Sequence, residues 1–344
     1  MMLTRPVPWP SHSRAAVALA FAFCVLGAPV EAARIKDNLY GVDARSKTEA
    51  WAVGNFGAIF HTTDGGVHWT RSESNTKLPL FGVAFADAQH GWAVGKSALV
   101  LATTDGGGSW TVQKTPLPAD KPLFMVKALD ARTVWTVGDW GAIAVTHDGG
   151  VTWEDRSVAD DVVLYDLAFP DADHGYAVGE FGTLLVTEDG GRTWRKESVG
   201  VEKTLFGVGF ASPERGWAVG MDGLVLQTKD AGRTWTVQRG IAEAGALEDV
   251  GFLDTIKNPG IYAVSVKGQY GVIVGDTGIL LTTDDGGDTW TQRDLPDKQK
   301  LVWMRGAGAT SDRTAFVVGA AGFSARLDGD RVVYAGSRNG ATTD

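Results

Sequence analysis

One phrase recurs along this chain of 344 residues and decides what it can fold into. In its full form it begins with an aromatic residue two places before Val-Gly. An alternating apolar stretch follows, and then T-x-D-G-G-x-T-W. Trp51 to Gly54 leads to Asp64 and Trp69, Trp92 to Gly95 to Asp105 and Trp110, and Trp135 to Gly138 to Asp148 and Trp153. Tyr176 to Gly179 leads to Asp189 and Trp194, and Trp217 to Gly220 to Asp230 and Trp235, with Ala231 in place of the first Gly. Val272 to Gly275 leads to Asp285 and Trp290, and Phe316 to Gly319 to a worn copy at Asp328-Gly329. The Asp positions step by 41, 43, 41, 41, 55 and 43 residues. Strand-like units repeating at about 40–50 residues are propeller blades. Seven copies predict an all-β, seven-bladed β-propeller of four antiparallel strands per blade.

Within one unit the strands are readable. Leu80 to Phe85 is the inner strand, Trp92 to Val94 the second, Leu99 to Thr103 the third and Trp110 to Gln113 the fourth, separated by Gly and Asp turns. Inner strands are expected to start at Leu39-Tyr40, Leu80-Phe81, Leu123-Phe124, Leu164-Tyr165, Leu205-Phe206, Leu247-Glu248 and Leu301-Val302. The composition now has a cause. Gly, at 45 residues, punctuates turns; ten of the 13 Trp residues end an Asp motif or open a second strand, filling the wedge between blades. A 44% hydrophobic and 21% charged chain also excludes intrinsic disorder.

Residues 1–32 read as an export signal. Arg5 and Arg14 flank the start of an uncharged apolar run, Ala15 to Leu26, and Val30-Glu31-Ala32 is a small-residue cleavage site, so cleavage after Ala32 is expected. The run is short for a membrane span of about 20 apolar residues. Phe23 before Cys24 argues against a lipoprotein signal. Cys24 is the only cysteine, so the mature protein holds itself together without disulfides. Residues 33–335 form a single propeller in this reading, and 336–344 a flexible tail. The net charge of −9 makes nucleic acid an unsuited partner, because such binding rests on Lys and Arg neutralising phosphates.

In the T-x-D-G-G-x-T-W motif the carboxylate can accept backbone N–H groups of a tight turn between strands 3 and 4, and the Gly pair tolerates φ > 0. Asp64, Asp105, Asp148, Asp189, Asp230 and Asp285 are therefore structural, since equivalent acids spread round a ring cannot share one active site. The motif matches the Asp-box, or BNR repeat, of sialidases, other glycosidases, sortilin-like receptors and photosystem II stability/assembly factors. Over roughly residues 35–334 the chain most resembles the last group. That resemblance implies a lumenal or periplasmic, non-enzymatic scaffold that helps assemble or stabilise a membrane complex. Family members are identified with a basic patch toward the photosystem; no Arg cluster here matches it.

Candidate functional residues are the departures from the repeat. Strand 4–1 loops and strand 2–3 turns share one face, the top; the Asp turns and strand 1–2 turns share the bottom. Lys77, Lys121 and Lys203 are among the cations of the top loops, suited to steering a partner. Phe56, Trp140 and Phe181 stand just before a Gly in 2–3 turns, placed to anchor a partner. Asp139, Glu180, Asp222 and Asp276 form a carboxylate row in the same turns, suited to a cation or a glycan or simply to turn chemistry. An insertion within 253–271 is expected to form a hairpin projecting from the bottom face. His90 and His174 read as 1–2 turn residues.

The reading is an exported, non-enzymatic assembly or stability scaffold, with a membrane protein complex or its intermediates as partner. It associates peripherally, is a monomer, and takes no cofactor or metal. Two alternatives stay open. One is a sialidase-like glycoside hydrolase, although the sialidase Arg cluster and Arg-Ile-Pro segment are missing. The other is a sensor propeller binding a soluble ligand in its central channel.

Overall fold

The second strand of each repeat is the most buried part of the chain. All five residues of Ala50–Gly54, Gly91–Gly95, Val134–Gly138, Gly175–Gly179 and Gly216–Gly220 are buried, as are all six of Tyr270–Gly275 and Thr314–Gly319. Strands so apolar on both faces need cover on both sides, which neighbouring blades supply. A computed structural model describes residues 35–238 and 259–335. They form seven four-stranded antiparallel sheets, each built from four consecutive strands. The inner strands are Leu39–Ala44, Leu80–Phe85, Leu123–Ala128, Leu164–Ala168, Leu205–Phe210, Ile261–Lys267 and Met304–Ala309, defining blades 1 to 7. Blade 7 packs its inner strand on that of blade 1, and its outer strand Arg331–Tyr334 belongs to its own sheet, so the ring closes without a strand swap. Lys47 and Asp328 add an ion pair across the closure at 2.8 Å.

Two sequence expectations are corrected here. The sixth inner strand is Ile261–Lys267, paired with Tyr270–Gly275 through a Gly268 turn, and the seventh begins at Met304 rather than Leu301. Leu247-Glu248 lies outside the described residues. The expected 253–271 hairpin is thus the blade's own first pair of strands, not a projection from the bottom. The extra length falls between Thr236–Val237 and Ile261, and residues 239–258, with the 253–258 part of the expected insertion, lie outside the described residues.

The core is a series of wedges between blades. Trp51, Val53 and Ile59 of blade 1 pack with Leu80, Phe85, Leu101 and Trp110 of blade 2. Trp92, Trp135 and Trp217 are fully buried, so truncating one to Ala costs about 3–5 kcal/mol. The turns between third and fourth strands seat Trp51, Trp135 and Trp217 of the preceding blades against Gly107, Gly191 and Gly287. In blade 2, Thr103 Oγ1 donates to Asp105 Oδ1 at 2.7 Å and accepts the Gly107 N–H at 2.9 Å, while Ser109 donates its N–H to Oδ1 and its hydroxyl to Oδ2. The same bonds recur around Asp148, Asp189, Asp230 and Asp285. At Asp64 the His68 ring replaces the hydroxyl. The Gly107 Cα lies against Trp51 of the preceding blade, where a Cβ would stand 2.1 Å from the indole. Each turn therefore closes its own blade and docks the previous one.

Candidate functional site

The strand 2–3 turns of the top face are left-handed at their second residue: Phe56, Trp140, Phe181, Asp222, Thr277 and Ala321 all have φ between 49° and 57°. Asp suits this conformation; a Phe or Trp there carries about 1–2 kcal/mol of backbone strain. Nevertheless Phe56, Trp140 and Phe181 hold it with 66%, 56% and 70% of their surface exposed. Exposed aromatics held in such a backbone are of the residue type that anchors partners. Lys121 Nζ sits 4.7 Å above the Trp140 ring.

The other expected residues fall into place around these turns. Lys203 is paired with Asp222 Oδ2 at 2.8 Å, and Lys196 lies 3.9 Å from Asp160, so part of the basic character expected of the top is neutralised locally. Lys77 is exposed and forms no ion pair among the described residues. The carboxylate row divides. Asp222 takes the outward, left-handed position, whereas Asp139, Glu180 and Asp276 take the first position of their turns. Asp139 Oδ1 accepts the Trp140 N–H at 2.9 Å, Glu180 Oε2 the Val163 N–H at 3.3 Å, and Asp276 Oδ2 the Tyr262 hydroxyl at 2.8 Å. Among the described residues no group of three or more His, Cys, Asp or Glu side chains could hold a metal ion. On the bottom, His90 and His174 bond Asp87 and Asp171 within their own turns, as read from sequence.

The Asp-motif carboxyls are unsuited to proton transfer. Bonds from Ser109 hold Asp105 down at about 2, and bonds from Thr193 hold Asp189 at about 2. They stay ionised and engaged, as structural groups should.

A feature the sequence reading passed over lies at the top of the central channel. Every inner strand bulges at its second residue, where the register with the second strand slips by one. A bulge frees one residue from the ladder and re-aims its side chain. The bulged residues are Tyr40, Phe81, Phe124, Tyr165, Phe206, Tyr262 and Arg305. Consecutive ring centres from Tyr40 to Tyr262 are 5.1–5.5 Å apart. Trp303 stacks on Tyr40 at 5.8 Å, and the Arg305 guanidinium lies 4.5 Å from the Tyr262 ring and 5.8 Å from that of Trp303, closing the circuit. The signal was present in the pairs Leu39-Tyr40 to Leu205-Phe206. Their aromatic members mark a site as well as a strand start.

Below this collar runs a cavity of about 860 Å³, lined by Tyr40, Asp43, Lys127, Asp166, Lys267 and Arg305 among others. The carboxylates staple blades together: Asp43 accepts the Phe85 N–H at 2.8 Å and Asp166 the Val208 N–H at 2.9 Å. Burial raises both, Asp166 to about 6 against the pull of Lys127. Burial, and then repulsion from Lys127, lowers Lys267. The top face thus combines an aromatic rim, exposed aromatics and a polar channel.

No curated protein matches the chain. Among solved structures, YCF48 bound to D1 peptide superposes with a TM-score of 0.66 at 22% identity, covering 88% of this chain and 94% of that one. YCF48 from Cyanidioschyzon merolae gives 0.65 at 20%, over 84% and 95%. The GH74 xyloglucanase from Xanthomonas campestris gives 0.68 at 16%, over 87% of this chain but 53% of the enzyme. Likeness at these identities speaks for the fold alone. The family described as photosynthesis system II assembly factor YCF48 matches residues 79–161, 152–235 and 194–303, about two thirds of the sequence, and the chain belongs to that family.

Proposed function

We propose that the protein is an exported, non-enzymatic scaffold that helps assemble or stabilise a membrane protein complex. It does so by holding a segment of one subunit against the top face of the ring. The observation that carries this reading is the top face itself. Three bulky aromatics are kept exposed in a strained backbone, beside a closed aromatic collar at the channel mouth. Membership of an assembly-factor family, and a relative whose structure holds a D1 peptide, support it. The subunit segment stays outside the bilayer, where a peripheral protein can reach it.

The test is affinity capture of the exported protein from detergent-solubilised membranes of its own host. The reading expects a membrane protein complex to be recovered with the wild type and reduced when Phe56, Trp140 and Phe181 are changed together. Release of sugar from a glycan panel, abolished by Glu180→Gln or Asp139→Asn, would replace this reading with the glycosidase one.

A further inference from the structure

We infer that the collar reads an extended peptide segment carrying an acidic side chain between apolar or aromatic neighbours, with the carboxylate docked on Arg305. The inference rests on the top face being the holding surface and adds what it holds.

Size comes first. The eight members, spaced 4.5–5.8 Å apart, close a circle about 14 Å across. Subtracting the thickness of the rings leaves a clear opening of roughly 10 Å, which admits an extended chain with room at its sides and is at the lower limit of the 10–12 Å of a helix with its side chains. The occupant is a strand-like segment, and apolar side chains are what the ring faces and edges pack against.

Charge comes next. Six of the seven bulged positions are aromatic; the seventh is Arg305. It is exposed and has no carboxylate partner among the described residues, whereas Lys203, Lys196 and Lys300 on the same face each have one. The guanidinium is held against the Tyr262 and Trp303 rings, where its fork of N–H donors suits bidentate carboxylate recognition. Beneath it, Lys127 and Lys267 face the channel, while the nearby carboxylates Asp43 and Asp166 are committed to backbone N–H groups of the next blade. Asp139 and Glu180 stand beside Tyr165 in blades 3 and 4, and Asp276 of blade 6 bonds the Tyr262 hydroxyl, so the carboxylates of the rim belong to turns and the cation among the bulged positions is Arg305 of blade 7.

The test uses blocked octapeptides held extended by flanking prolines, with a central Phe-Glu-Phe, Phe-Gln-Phe or Phe-Lys-Phe, and reads binding to the full chain by fluorescence anisotropy. The wild type is expected to prefer the Glu peptide to the Gln peptide about ten-fold, and a lactam-stapled helical peptide of the same composition to bind more weakly. Arg305→Glu is expected to invert the order in favour of the Lys peptide, and Phe124→Ala to weaken all three. Thermal melting checks that both variants fold. Equal affinity for the Glu and Gln peptides, no binding of any peptide at millimolar concentration, or an unchanged order in Arg305→Glu would overturn the inference. Membrane capture separates the two levels: undiminished capture by Arg305→Glu sinks the collar and leaves the scaffold reading standing, whereas no capture by the wild type sinks the scaffold reading.

Discussion

Adjacent glycines in the blade 4 turn separate backbone strain from packing between blades. Gly190 and Gly191 are both left-handed, with φ of 69° and 79°. A Cβ on Gly190 meets nothing nearer than the Ala172 carbonyl at 3.1 Å, but on Gly191 it would stand 2.1 Å from Cη2 and 2.4 Å from Cζ2 of Trp135. Either alanine takes on a left-handed cost of about 1 kcal/mol, offset in part by the narrower unfolded ensemble. Blade 5 already tolerates alanine at the first position, where Ala231 has φ of 59°. At the second position Trp135 must move. It is 1% exposed, stacked on Phe169 at 5.2 Å and edged by Trp194 at 6.0 Å, so overpacking adds about 1–3 kcal/mol. Gly190→Ala should therefore cost about 0–1 kcal/mol and Gly191→Ala about 2–4 kcal/mol. Urea unfolding followed by tryptophan fluorescence, with the slope m unchanged, reads the difference. Equal midpoint shifts, or a larger one for Gly190→Ala, would refute the claim that this turn docks the preceding blade.

Phe181→Asn should raise stability by up to about 1 kcal/mol, because Asn accepts the left-handed turn, while weakening membrane capture; a thermal melt and the capture assay read the two effects. Asp166 titrates at about 6 in the fold, above an unfolded value near 4, so the folded state holds the extra proton and stability falls as pH rises from about 4 to about 6. Asp166→Asn should remove about 2–3 kcal/mol of that dependence, seen as a flatter plot of urea midpoint against pH. An equally steep plot for the variant would assign the slope to another group.

The blades were legible because their signals are local: Gly pairs, Asp turns and a strand alternation all sit inside one repeat. Blade 6 was misplaced for a physical reason. The repeat lengthens there, and spacing alone does not say whether the extra residues precede or follow the inner strand; the Ile261-Tyr262 pair does. Blade 7 misled because Met304-Arg305 lacks the aromatic that marks the other inner strands. Trp140, Phe56 and Phe181 could be singled out as bulky residues in turns, but their exposure follows from a left-handed backbone that only the structure displays. The collar depends on contacts between residues 40 or so apart, and its closure through Trp303, Tyr40 and Arg305 joins the two ends of the ring.

The central claim is that the top face, at the channel mouth, holds a segment of a membrane protein subunit. A photo-crosslinking residue placed at Phe124 in the collar, or at Asp173 in a bottom turn, tests this in membranes of the native host. The account predicts an adduct with a membrane-embedded subunit from position 124 and none from position 173. Adducts from 173 alone, or none from 124 in membranes that retain the protein, would contradict it.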